Sequence, residues 1–124
     1  MFQGKLAGIL IVGAVAMATQ AIAADVKNGE QVFARCAICH SNTKGAPARI
    51  GPNLFGITGR KAGSQPDFSY SAALKNSGIV WTPANLDKWT AGPAAMVPGN
   101  RMSFAGISSA KDRADLVAYL GTLK

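Results

Sequence analysis

The sequence predicts an all-α domain, and three observations carry that expectation. Near the carboxyl end, Leu116, Tyr119, Leu120 and Leu123 recur at i, i+3, i+4 and i+7, the spacing of one helix face. Helix-start chemistry recurs upstream, at Asp25 and at Thr82-Pro83. No run alternates apolar and polar side chains convincingly enough to suggest a sheet.

Residues 1–23 hold one early cation, Lys5, then an apolar run from Leu6 to Ala18, then Ala21-Ile22-Ala23. This is the pattern of a secretory signal with a small-residue cleavage site. The run is shorter than the roughly 20 residues a membrane-spanning helix needs, so cleavage after Ala23 is expected rather than retention as an anchor. Residues 24–124 then form one domain, short enough to share one core.

Asp25 can cap a first helix that carries Val32, Phe33 and Ala37 near helical spacing and runs into Cys36-Ala37-Ile38-Cys39-His40. From Ser41 to Gly63 the density of Gly, Pro, Asn and Thr argues for irregular backbone, with Gly51-Pro52-Asn53 as a turn. Tyr70 to Asn76 fits a short helix ended by Ser77-Gly78. Thr82 and Pro83 start another, expected over Pro83 to Trp89, because proline at the first helical position forfeits an amide hydrogen that has no partner there anyway. Gly92-Pro93 interrupts it, and Pro98-Gly99-Asn100 begins a further turn. The last helix starts at Ser109, which with Asp112 resembles a capping box.

The chain contains 14 Gly and 6 Pro, which build loops better than cores. Its two cysteines are three positions apart, so a disulfide between them would close a trivial loop and constrain the unfolded chain very little. A bound prosthetic group is the more natural supplement to a small core. Beyond residue 23 there are 12 basic and 6 acidic side chains, spread singly or in pairs. That dispersal lacks the clustered stripe of a nucleic-acid footprint, while a net positive field suits steering toward an acidic partner protein as well as simple solvation.

Cys36-Ala37-Ile38-Cys39-His40 is the attachment pattern for a c-type haem. Thiols at i and i+3 of a helical turn project from one side, so each can add to one vinyl group of the haem edge, and His40 follows at once to ligate iron. A reactive dithiol would use the same spacing but is expected beside a βαβ pattern, which is missing here. A structural zinc site needs four ligands, and two cysteines with the sole histidine supply three. The second axial ligand cannot be another histidine of this chain. Met96 and Met102 remain as thioether candidates beyond the leader, with a lysine or an open position as fallbacks. Met96 sits among Ala94, Ala95 and Val97 and suits core filling, whereas Met102 lies in a turn-rich loop with less reason to be held for packing.

Residues 25–124 resemble class I c-type cytochromes of the mitochondrial-like branch, including its bacterial soluble monohaem members. Besides the attachment pentapeptide, the resemblance rests on Gly51 to Gly63, on Gly78-Ile79-Val80-Trp81, and on Pro98 to Ile107, in order and with near-family spacing. It implies a small cytochrome c fold with crossing terminal helices, Gly29 and Phe33 meeting Leu116 and Tyr119, around one covalent haem c. It further implies that Met102 is the distal ligand, that the Pro52 carbonyl accepts a hydrogen bond from His40, and that Arg60, Tyr70 and Trp81 approach the haem propionates. Two departures stand out: Pro93-Ala94-Ala95 replaces lysines of the mitochondrial proteins, and Leu74 and Trp89 replace polar or phenolic residues.

The function so implied is one-electron transfer by a monomer, with no catalysis, and the leader adds a periplasmic address. Its partners would be a cytochrome reductase complex and a terminal oxidase or photosynthetic reaction centre, met by transient docking at a membrane. A haem enzyme or ligand sensor with an open distal position is the competing class, poorly supplied with acid–base groups because the chain has no second histidine. A tethered subunit of a larger redox complex would follow if the leader were retained.

Overall fold

The computed structural model describes residues 3–5, 7–14 and 23–124. The described leader residues have no regular secondary structure, and Ile9, Leu10, Ile11 and Val12 are 85–90% exposed. Of the expected cleavage motif, Ala21 and Ile22 lie outside the described residues. No helix among the described residues is long and apolar enough to cross a membrane.

Among the described residues there are five helices: α1 (Val26–Phe33), α2 (Ala72–Lys75), α3 (Pro83–Ala91), α4 (Pro93–Met96) and α5 (Ala110–Gly121). Among the described residues there is no strand, and the nearest approach to one is an isolated antiparallel bridge between Lys61 and Val80. The domain is therefore all-α, as the residue patterns predict.

Each helix of eight residues or more begins at the expected cap. The Asp25 carboxylate accepts from the Asn28 amide, the Thr82 hydroxyl from Asn85 and the Ser109 hydroxyl from Asp112. The ends differ from expectation. α1 stops at Phe33, because the amides of Ala34, Arg35 and Cys36 bond three residues back rather than four, the tightening by which a helix disposes of its last carbonyls. The attachment segment is thus a series of turns, and Ala37, expected on the buried face, is exposed. α2 is shorter than expected, since the Ser71 hydroxyl caps it and leaves Tyr70 outside. α3 runs two residues further than expected, to Ala91, and Thr90 spends its hydroxyl on the Leu86 carbonyl. Pro93 does interrupt α3, but it also starts α4 by the same first-turn logic that places Pro83.

α1 and α5 cross at Gly29. A Cβ there would lie 2.6 Å from the Asp115 carbonyl carbon and 2.8 Å from Tyr119 Cβ, so only a glycine lets the two backbones come this close. Phe33 and Tyr119 pack at 5.5 Å between ring centroids, and Leu116 is fully buried. Burying such a leucine contributes about 1.5–3 kcal/mol. Trp81 and Trp89 meet edge to face at 5.2 Å on the other side of the core, where Trp89 is apolar filling.

Polar ties reinforce the crossing. Asp112 does not complete a reciprocal capping box; its carboxylate accepts from Asn28 Nδ2 instead. Asp115, 2% exposed, accepts from Lys111 Nζ at 2.5 Å, from the Asp25 amide at 2.8 Å and from Asn28 Nδ2 at 2.8 Å. Those donors, Lys111 foremost, hold its pKa down from 3.8 to about 2. The folded protein therefore binds fewer protons at this site than the unfolded chain, and the stabilisation is complete above pH 3.8 and lost as the pH falls to about 2. Asp115→Asn is expected to lower stability at neutral pH and to flatten the acid limb of the stability curve in that window. Denaturant titrations across the window check this; parallel curves for parent and variant would mean that the network contributes nothing.

Candidate haem site

The proximal side is built from two neighbouring loops. The turns after α1 leave Cys36 and Cys39 half-buried as free thiols and carry His40 beside them. The His40 amide returns to the Cys36 carbonyl at 2.9 Å, which closes this turn. Burial pushes the Cys36 thiol up to about 11. A redox-active dithiol is activated by the opposite shift and is expected beside a βαβ unit, whereas the described residues hold no strand.

His40 Nδ1 lies 2.7 Å from the Pro52 carbonyl oxygen. A carbonyl can only accept, so Nδ1 carries the proton and Nε2 keeps its lone pair. Burial lowers the pKa of the ring, against the raising effect of the Pro52 bond, and so favours the neutral form that a metal requires. Gly51 backs the imidazole: a Cβ there would stand 2.7 Å from Nδ1 and 2.9 Å from Nε2. The ring is thus oriented by one hydrogen bond and fitted into a space that exists because residue 51 has no side chain.

From Pro52 a rim of hydrogen bonds leads round to the methionine loop. Asn53, buried, donates its side-chain Nδ2 to the Thr43 and Ala46 carbonyls, and its backbone carbonyl accepts from Arg60 Nη1 at 2.9 Å. Arg60 also donates to the Phe55 carbonyl and, at 2.9 and 3.1 Å, to the side-chain oxygen of Gln65. The Gln65 backbone N–H in turn donates to the Tyr70 hydroxyl at 3.2 Å. Partial burial raises the pKa of Tyr70 and lowers that of Arg60. Trp81 joins through its backbone, donating to the Arg60 carbonyl at 2.8 Å. Next to Tyr70, the Ser69 carbonyl accepts from Arg101 at 3.2 Å.

Arg101 precedes Met102, which is half-buried against the core. Its amide donates to Asn100 Oδ1 at 2.8 Å while Asn100 Nδ2 donates to the Val97 carbonyl at 2.9 Å, so one amide side chain staples the loop at both ends. Met96 is also half-buried, but it ends α4 with its amide on the Gly92 carbonyl.

The residues expected from the sequence therefore lie along one connected rim, from His40 and Pro52 through Arg60, Tyr70 and Trp81 to Met102. Gln65 and Arg49 are not singled out by the sequence, whereas Gly51, Asn53 and Asn100 enter only as members of turns and of the stretches that carry the resemblance. Asn100 had a usable signal in Pro98-Gly99-Asn100, since asparagine in a turn commonly bonds the backbone two residues on. Gln65 and Arg49 had none, because their partners are set by loops folded together.

The donor set fits a covalent haem. Two thiols stand three positions apart, and a neutral imidazole, given room by Gly51, is presented on Nε2. Comparison with known proteins agrees. The profile of the family described as cytochrome c matches residues 26–124. Cytochrome c2 of Rhodomicrobium vannielii is 45% identical over 120 residues, covering 95% of this chain and 96% of the relative. Cytochrome c2 of Agrobacterium tumefaciens is 46% identical over 99 residues, covering 77% and 89%. Among solved structures, cytochrome cH from Methylobacterium extorquens superposes with a TM-score of 0.75 at 42% identity, covering 79% of this chain and 98% of that one. With the thiol pair, the oriented imidazole and these relatives in agreement, the chain belongs to the cytochrome c family: it is an electron-transfer protein bearing covalent haem c, not an enzyme.

Proposed function

We propose that this cytochrome is an exported, monomeric one-electron carrier whose haem is joined to Cys36 and Cys39 and ligated by His40 and Met102. The observation that carries the reading is the imidazole held at 2.7 Å by Pro52, with its free nitrogen available to a metal. When bound, the haem supplies an iron that alternates between ferrous and ferric. The chain's part is to keep both ligands in place in either state. Pro52 fixes the His40 ring and raises its basicity, while the Asn100 staple and the Arg101 tie to Ser69 hold Met102 in a loop of set shape. Arg60, Tyr70 and Trp81 serve the propionate edge, where donors and a positive charge offset the burial of carboxylates.

Residues 1–23 act as a secretory signal, which places the mature protein in the periplasm. A family match that begins at residue 26 supports that division. The redox partners are a cytochrome reductase complex and a terminal oxidase or photosynthetic reaction centre. Exposed Arg35, Lys44, Arg49, Lys61 and Arg101 favour acidic docking faces, whereas exposed Ala94 and Ala95 make the α4 facet neutral. Docking there adds little electrostatic steering.

The test is an absorption spectrum of the purified protein through a redox titration, with a mass measurement from the native host. A single one-electron transition is expected, together with a ferric band typical of sulfur ligation and a mass equal to residues 24–124 plus one haem. A ferric spectrum at neutral pH without the sulfur band would reject Met102, and a mass including the leader would replace the soluble carrier by a tethered one.

A further inference from the structure

The chain from Arg49 to Leu54 runs beside the chain from Ala37 to Ser41 and satisfies it group by group. Arg49 Nη1 donates to the Ala37 carbonyl at 2.9 Å and Nη2 to the Ile38 carbonyl at 3.1 Å. The Gly51 amide donates to the Cys39 carbonyl at 2.9 Å, the Pro52 carbonyl accepts from the His40 ring, and the Leu54 amide donates to the Ser41 carbonyl at 2.9 Å. A bond from the Arg49 amide to the Gly51 carbonyl, at 3.0 Å, sets the bend at the start of this strap.

One side chain thus accounts for two of the five partnerships, and they are the first two in order. The Ala37 and Ile38 carbonyls are left over where the helical turns wind down, the Cys36 carbonyl being taken by the amides of Cys39 and His40. A planar guanidinium presents two parallel donors that match two adjacent carbonyls; an ammonium carries the same charge without that fork. The far end of the strap is secured by buried Asn53. The near end has no such packing, because Ile38 is 70% exposed and Ile50 is 73% exposed. Without Arg49, the Gly51 amide bond to Cys39 is left as the tie between the two chains at that end, the Ala48 amide being held from the other side by the Asp67 carboxylate at 2.8 Å.

We propose that Arg49 is a positioning residue for the proximal imidazole: its fork on Ala37 and Ile38 keeps the strap in register, so that the Pro52 carbonyl stays on Nδ1 and Gly51 stays behind the ring. The inference rests on the reading of His40 as the iron ligand. Arg49 touches neither the imidazole nor the thiols through these bonds, and it acts through residues 51 and 52.

The experiment compares the reduced haem-bearing protein with Arg49→Gln, Arg49→Lys and the control Arg35→Gln, another exposed cation close to Cys36. NMR hydrogen exchange is read at the His40 ring N–H, at the Gly51 amide and at the α5 amides of Leu116 and Leu120. Both Arg49 variants are expected to exchange about tenfold faster at the first two protons, with the α5 amides at the parental rate. Arg35→Gln is expected to match the parent throughout. Unchanged exchange in the Arg49 variants overturns the proposal, as does a change in Arg49→Gln that Arg49→Lys does not share, since charge alone would then account for it. Parallel acceleration at every site also overturns it, by revealing a general loss of stability. Failure of the underlying ligand reading is seen separately, as a parent protein whose spectrum lacks histidine ligation before any variant is made.

Discussion

Gly29→Ala is expected to destabilise the folded protein by about 2 kcal/mol, although glycine-to-alanine replacement inside a helix ordinarily gains about 1 kcal/mol from backbone entropy. The reversal comes from the crossing of α1 and α5. The new methyl group would overlap the Asp115 carbonyl and press on Tyr119 Cβ, so the helices must separate. Separation loosens the Phe33–Tyr119 contact and pulls Asp25 and Asn28 away from the Asp115 carboxylate. Overpacking of this kind costs about 1–3 kcal/mol and occasionally more, which outweighs the propensity gain. Gly121 is the control, because it closes α5 with nothing within 4 Å of its would-be Cβ. Gly121→Ala is expected to be neutral or slightly stabilising. Denaturant unfolding of the two variants decides the matter by sign alone, and stabilisation in both would show that the helices do not meet at Gly29.

The contrast between these glycines shows what a sequence can and cannot disclose here. Helix starts were legible because capping is local: Asp25, Thr82 and Ser109 each bond an amide three residues on, and that pattern is written in adjacent letters. Helix ends were less legible because they answer to tertiary demands. α1 gives way to turns at the attachment segment, and α3 continues to Ala91, where the loop before α5 returns with the Ile107 amide on the Thr90 carbonyl. The second use of proline, to begin α4 after ending α3, needed the backbone itself to be seen.

The site divides in the same way. The thiol pair and His40 form a contiguous pentapeptide whose spacing states its chemistry. Pro52, Arg60, Tyr70 and Trp81 could be named only through resemblance, and the rim that joins them passes through Gln65, which nothing in the sequence marked. Arg49 is a stronger case. Its side chain bonds carbonyls eleven and twelve residues away, so its role depends on two loops being laid side by side and not on any local pattern.

The choice between Met102 and Met96 shows how loop geometry and ligand chemistry converge on one measurement. Both methionines are half-buried against the core, so burial does not separate them. What separates them is the backbone around each: Met96 completes a helical turn, whereas Met102 is held by a side-chain staple and an arginine tie. Holding an irregular loop in one conformation costs backbone entropy of about 1–2 kcal/mol per residue, an outlay explained if the loop presents a ligand. Met102→Ala is accordingly expected to abolish the sulfur-ligation band of the ferric protein and to lower the midpoint potential by a few tenths of a volt, within the roughly 0.8 V that axial ligands span. The reduced variant should also bind carbon monoxide rapidly and the parent should stay inert, because on this assignment only the variant lacks a tethered thioether at the sixth position. Met96→Ala should change none of these and should cost about 2 kcal/mol of stability as a core truncation. If the band and the potential followed Met96 instead, the Asn100 staple would be holding a loop for some purpose other than ligation. If neither variant altered the spectrum, the soft ligand would have to come from outside the methionines altogether, and the chain would have to be reconsidered as a haem protein with a labile distal position.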